Sequence, residues 1–156
     1  MKFETKEQTK KFARHLAAAL KPGDVFRLDG DLGAGKTTLV QWVSEARSVR
    51  EAVVSPTFSL VRRYDSDLGT INHLDLYRIE DPQEIEELDY EELFYPEQGV
   101  TFIEWAQRAE EYLPSDIVCL NIDKCGDEAR EITVTSTGER AGELRRVLFG
   151  GEEPCA

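Results

Sequence analysis

Apolar residues recur along this chain with two periods, one helical and one extended, and the two alternate. Phe12, Leu16 and Leu20 fall at helical intervals behind Thr5-Lys6-Glu7-Gln8, which has the spacing of a capping box, and Pro22-Gly23 closes that predicted helix. Val25-Phe26-Arg27-Leu28 then predicts a short strand, and Leu39, Val40, Trp42 and Val43 mark the buried side of a second helix. Period-two alternation returns over 59–64. Asp65-Ser66-Asp67-Leu68-Gly69 predicts a hairpin-like connection to a partner strand over 70–78, on which Ile71, His73, Asp75 and Tyr77 share one face and Leu74 and Leu76 the other.

Asp81-Pro82-Gln83-Glu84 repeats helix-start chemistry and opens an acidic segment that runs through Glu92. Its carboxylates predict a solvated face, and Leu88, Leu93, Phe94 and Tyr95 an apolar edge that meets either the core or another protein. Gly99 to Trp105 reads as a mostly apolar strand ending in an acid, Glu104. A short helix closed by Pro114, paired strands over 117–123 and 131–136 around Gly126, and a last helix marked by Ala141, Leu144, Val147 and Leu148 complete the pattern. The alternation predicts an α/β fold. Residues 1–149 form a single domain, and 150–156 a polar tail expected to be disordered.

Composition narrows this picture. The chain has 156 residues, 40% of them hydrophobic, and no uninterrupted apolar stretch of membrane-spanning length, so no membrane partner is expected. The opening Met1-Lys2-Phe3-Glu4-Thr5-Lys6 has no hydrophobic signal core, which makes the cytoplasm the default location. Cys119, Cys125 and Cys155 are an odd set without metal-ligand spacing and read as free thiols. A formal charge of −12 opposes tight binding of nucleic acid by the whole surface. Lys6, Lys10, Lys11 and Arg14 on the first helix therefore read as a solvated face before a polyanion site.

The chemistry centres on Gly30-Asp31-Leu32-Gly33-Ala34-Gly35-Lys36-Thr37-Thr38, which fits G-x-x-x-x-G-K-[ST]. A polyphosphate needs several inward-pointing N–H groups, and Gly30, Gly33 and Gly35 let the backbone curl tightly enough to supply them. Lys36 would bridge the terminal phosphates, Thr37 would join the shell of a Mg²⁺ ion, and the helix that starts here adds its positive dipole end. Strand, loop and helix follow in the order this motif requires. Ser55-Pro56-Thr57-Phe58 lies where such proteins carry a nucleotide-sensing segment, with Thr57 the hydroxyl to follow a γ-phosphate. Glu104, at the end of its strand, is a second metal candidate. His73 and Asp75 share a face, so an imidazole and a carboxylate lie close; a structural histidine is the plainer reading of His73.

Four stretches together, the loop, Ser55-Pro56-Thr57-Phe58, His73-Leu74-Asp75-Leu76-Tyr77-Arg78 and Ile103-Glu104-Trp105, closely resemble the TsaE (YjeE) family. The resemblance implies a P-loop NTPase-like three-layer sandwich with a mixed central sheet. It implies a small cytoplasmic bacterial ATPase that uses ATP and Mg²⁺ and serves threonylcarbamoyladenosine formation in tRNA. Such a protein docks on a TsaB–TsaD heterodimer, TsaD transfers the threonylcarbamoyl group, hydrolysis resets the assembly, and tRNA is met indirectly through the complex. Carried onto this chain, Asp31, Leu32, Gly33, Ala34, Gly35, Lys36, Thr37 and Thr38 hold the nucleotide and Thr37 and Glu104 the metal. Lys36, Thr57 and Asp75 are the catalytic set, with Asp75 on the attacking water. Trp105 stands close, and Thr5 or Lys6 touches adenine. The residues alone leave the division of roles between Asp75 and Glu104 reversible.

Other uses of the same loop remain open on sequence. Arg62, Arg63 and Arg78 would suit a small-molecule or nucleotide kinase, although no long arginine-rich lid follows. A GTP switch needs Asn-Lys-x-Asp, which Asn121-Ile122-Asp123-Lys124 does not match. A nucleotide-binding module without turnover is a further alternative.

Overall fold

Thr5 starts the first long helix because its hydroxyl accepts the Gln8 N–H at 3.2 Å, freeing the chain from its extended approach. The computed structural model describes residues 1–56 and 59–150. In it α1 spans Lys6–Ala19 and buries Phe12, Ala13, Leu16 and Ala17. The reciprocal bond of the capping box lands one residue early, on the Glu4 N–H, which the Gln8 side-chain Oε1 accepts at 2.7 Å. Before α1, β1 (Lys2–Phe3) pairs with the far end of the chain.

After α1 come β2 (Val25–Asp29) and α2 (Lys36–Ala46), then the hairpin β3 (Val61–Ser66) and β4 (Gly69–Asp75). A 3₁₀ turn (Pro82–Glu87), the short α3 (Tyr90–Phe94), β5 (Gly99–Glu104) and a second 3₁₀ stretch (Ala106–Tyr112) follow. The chain closes with β6 (Ile117–Lys124), β7 (Arg130–Thr137) and α4 (Glu139–Phe149). One seven-stranded sheet runs β1-β7-β6-β2-β5-β4-β3. Its centre is parallel, β2 lying between β5 and β6 with β4 beyond β5, and its edges are antiparallel, so the sheet is mixed as expected.

Alternation along the strands divides the core into two layers. Phe26, Leu28, Ile71, Phe102 and Leu120 pack under α1, α2 and α4, whereas Val25, Leu74, Leu76 and Ile103 pack under the 3₁₀ turns and α3. Helical segments on both faces give the three-layer sandwich. Every residue of β5 is buried, and its one interior hydroxyl is satisfied: Thr101 donates to the Leu93 carbonyl at 2.5 Å and accepts from the Asn72 amide at 3.2 Å. Leu93 and Phe94 are core, which settles their two readings; Tyr95 is exposed.

Several element boundaries differ from expectation. The strand expected over 59–64 begins at Val61, because Leu60 sits at φ 65 and turns the chain first. The strand expected over 70–78 stops at Asp75, whose carboxylate accepts the Tyr77 N–H at 3.0 Å and bends the chain off the sheet. In α4 the buried stripe is Ala141, Leu144 and Leu148; Val147 is exposed. That helix has no side-chain cap of its own. Asp116 supplies one from the segment that leads into β6, accepting from the N–H groups of Arg140 and Ala141 at 3.1 and 2.8 Å.

At the amino edge of the sheet, Asp24 is buried and accepts from Arg140 Nε at 2.8 Å, Arg140 Nη2 at 3.0 Å and the Lys21 N–H at 2.7 Å. Arg140 also donates to the Ala19 carbonyl, so one ion pair ties α1, β2 and α4 together. Among the described residues no helix is long and apolar enough to cross a membrane.

Candidate functional site

Because β2, β4 and β5 run parallel as neighbours, their carboxyl ends emerge at one edge of the sheet. The register places Leu28 opposite Glu104 and Glu104 opposite Asp75. Register partners point to the same face, and Leu28 belongs to the layer under α2. Both acids therefore face the side on which β2 turns into the glycine loop. Neighbouring strands lie about 5 Å apart, which sets the spacing of the two backbones that carry these acids.

The loop's shape depends on residues without a side chain. Gly30 has φ 147, and a Cβ there would collide with the Ile122 carbonyl oxygen; Gly35, at φ 107, is the residue from which α2 starts. The curl is closed by the Ala34 N–H donating to the Asp31 carbonyl at 3.0 Å. Ala34 is buried and Leu32 is 93% exposed, so a bound group would meet Leu32 through its backbone.

Four side chains, Lys36, Thr37, Glu104 and His73, converge behind this loop. Lys36 is buried and donates from Nζ to the Gly30 carbonyl at 2.7 Å. Thr37 donates to Glu104 Oε2 at 3.0 Å, and the same oxygen lies 2.6 Å from His73 Nε2. The imidazole thus bonds a carboxylate on the neighbouring strand, Glu104, rather than standing only as a core residue. Asp75, 5% exposed, sits one strand further along the same row.

Trp105 follows Glu104 in the left-handed region at φ 58, a conformation costing a non-glycine residue about 1–2 kcal/mol. That turn brings its ring to 4.7 Å from Lys36 Nζ and to 4.9 Å from the Tyr77 ring, with Arg108 6.0 Å from Tyr77 on the outside. Trp105 is therefore beside the loop lysine.

A cleft of about 370 Å³ adjoins the loop on the α1 side, lined by Lys6, Gly35, Thr38, Trp42, Ile122 and Arg130 among others. Of the two amino-terminal candidates, Lys6 lines the cleft, and the Thr5 hydroxyl caps α1. Arg130 was not anticipated. It donates from Nε to the Ala34 carbonyl at 2.8 Å and from Nη1 to the carbonyls of Gly126, Asp127 and Ala129, fastening the β6–β7 turn to the loop. No local pattern marks it, because its partner is 96 residues away. Thr57 lies outside the described residues.

The chemistry of the donors suits a small hard cation. Thr37 and Glu104 offer only oxygen, and Mg²⁺ takes one or two protein oxygens with phosphate and water completing its octahedron. Among the described residues no cluster of three or more His, Cys, Asp or Glu forms a self-sufficient metal cage. On the opposite face of β2, Arg27 bridges Asp29 and Glu110 at 3.1 and 2.9 Å. Cys119 donates to Asp29 at 3.0 Å, and burial, reinforced by that carboxylate, pushes its thiol up to about 12.

The family model described as threonylcarbamoyl adenosine biosynthesis protein TsaE matches residues 3–132. The Bacillus subtilis tRNA threonylcarbamoyladenosine biosynthesis protein TsaE is 44% identical over 134 residues, covering 86% of this chain and 83% of that protein. Its Streptomyces coelicolor counterpart is 39% identical over 138 residues, covering 84% and 92%. The crystal structure of Bacillus subtilis YdiB superposes with a TM-score of 0.80 at 36% identity, covering 95% of this chain and 91% of that one.

Proposed function

This chain belongs to the TsaE family, and from that premise we propose that it is a Mg²⁺-dependent ATPase serving threonylcarbamoyladenosine formation in tRNA. The observation that carries the reading is the convergence of Thr37 and His73 on one carboxylate oxygen of Glu104 directly behind the curled loop. Loop amides and Lys36 take the phosphates, and the cleft lined by Lys6 and Thr38 takes the base. Thr37 and Glu104 hold Mg²⁺, which neutralises charge on the phosphates when bound. Asp75 orients the attacking water and accepts its proton, because it stands in the same row as Glu104 without being the carboxylate bonded to Thr37. Thr57 follows the γ-phosphate.

Acting in the cytoplasm, the protein docks on TsaB–TsaD, where hydrolysis resets the transferase; its acidic surface is compatible with tRNA being held by those partners. A kinase is less well supported. Of Arg62, Arg63 and Arg78, the arginines that could grip a second phosphate, Arg63 lies 3.5 Å from Asp89 and 3.8 Å from Glu92.

The test is Asp75→Asn, assayed for ATP affinity and phosphate release with TsaB, TsaD and tRNA present. Loss of a positioned base lowers turnover about 10²–10⁴-fold, with affinity within about threefold of the parent. Unchanged phosphate release in Asp75→Asn rules out its role, and phosphate appearing on an acceptor instead of free in solution establishes the kinase.

A further inference from the structure

We propose that His73 is a positioning residue that locks Glu104 by donating from Nε2 to Oε2, leaving Oε1 as the oxygen offered to the divalent cation. The inference rests on the ATPase reading above and assigns a task to a residue that reading does not use.

The geometry separates the two oxygens of one carboxylate. Glu104 Oε2 is engaged from two elements at once, by Thr37 of α2 at 3.0 Å and by His73 of β4 at 2.6 Å. Among the described residues no donor engages Oε1. An ionised carboxylate only accepts, so both partners must donate, which puts the imidazole proton on Nε2. The terminal torsion of a glutamate is broad and nearly two-fold, so its oxygens exchange freely unless something distinguishes them. Two donors on the same oxygen do so. The cation then meets an oxygen already aimed, as outer partners of metal ligands commonly arrange.

The other ring nitrogen makes a core role insufficient. His73 is fully buried, and its Nδ1 has no hydrogen-bond partner among the described residues. Buried polar atoms are nearly always satisfied, and an aliphatic side chain opposite Phe102 would fill the same strand position without leaving an orphan. Nε2 is the atom whose bond accounts for the residue. Its reach follows from the register: His73 lies two residues before Asp75, the partner of Glu104, and so contacts that acid diagonally across the parallel pair.

The experiment compares His73→Gln, which keeps a donor at the ε position, with His73→Asn, which moves it to the δ position. The readout is how Mg²⁺ raises affinity for a non-hydrolysable ATP analogue, measured by titration calorimetry. His73→Gln should stay within about threefold of the parent, and His73→Asn should weaken apparent Mg²⁺ affinity about 10–100-fold. Equal Mg²⁺ dependence in the two variants overturns the proposal. Imidazole ¹⁵N spectra of the unsubstituted protein decide it even if the variants fold poorly: a proton on Nε2 with bare Nδ1 supports it, and the reverse tautomer refutes it. Glu104→Ala separates the two levels. If it retains full Mg²⁺ dependence, the metal reading itself fails; if it loses that dependence while His73→Asn keeps it, only the role of His73 fails.

Discussion

Replacing Lys36 with methionine keeps most of a buried aliphatic stem and removes the ammonium, which isolates the charge from the packing. The magnitude follows from what the ammonium already does without nucleotide. It donates to the Gly30 carbonyl at 2.7 Å and lies 4.7 Å from the centre of the Trp105 ring. Bonds to charged groups are worth about 1.5–3 kcal/mol each, so two phosphate oxygens would contribute about 3–6 kcal/mol. Leaving Gly30 forfeits one such bond, and leaving Trp105 about 0.5–1 kcal/mol more. The net gain is about 1–2 kcal/mol, so Lys36→Met should weaken Mg·ATP binding about 5–30-fold, far less than an unpartnered lysine would imply. Titration calorimetry on both proteins measures it, with thermal melting as the folding control. Affinity within twofold of the parent, at an unchanged melting temperature, would refute the assignment of Lys36 to the phosphates.

Two further outcomes test parts of the fold and its chemistry. Arg140→Ala leaves the buried Asp24 carboxylate with the Lys21 N–H alone. Breaking a fully buried pair costs about 3–5 kcal/mol, so with Arg140 about a quarter exposed the loss should be about 2–3 kcal/mol. For a chain of this size that lowers the melting temperature about 5–10 °C, with nucleotide affinity unchanged; a shift below about 1 °C would contradict the buried pair. Cys119, with its thiol pushed up to about 12, should alkylate far more slowly at pH 8 than exposed Cys125, its rate rising about tenfold per pH unit. The same shift makes native stability fall as pH climbs from about 9 towards 12, since the unfolded thiol ionises first. Peptide mapping that found equal labelling of the two cysteines in the native protein would count against the Asp29 contact.

What the sequence made legible was local. Gly30, Gly35 and Lys36 announce the loop because backbone freedom and charge are needed at fixed offsets, and alternation on β4 correctly put His73 and Asp75 on one face. The features that escaped depend on partners far along the chain or on single dihedral angles. Glu104 is 31 residues from His73, and only the parallel register shows that the imidazole reaches it. The β1 strand is two residues long and has no period to read; the bonds between Met1 and Ile132 hold it in place. Strand ends moved where Leu60 turned left-handed and where Asp75 caught the Tyr77 N–H, neither of which leaves a compositional trace.

The row Leu28–Glu104–Asp75 has a consequence for how errors in folding are expressed. Side chains alternate every residue, so sliding β5 by one position would send Glu104 to the opposite layer and drive Ile103 toward α2 in the same motion. Misaligned chains would therefore forfeit their packing and their chemistry together. Quality control that senses exposed greasy surface would remove inactive conformers without ever inspecting the acids.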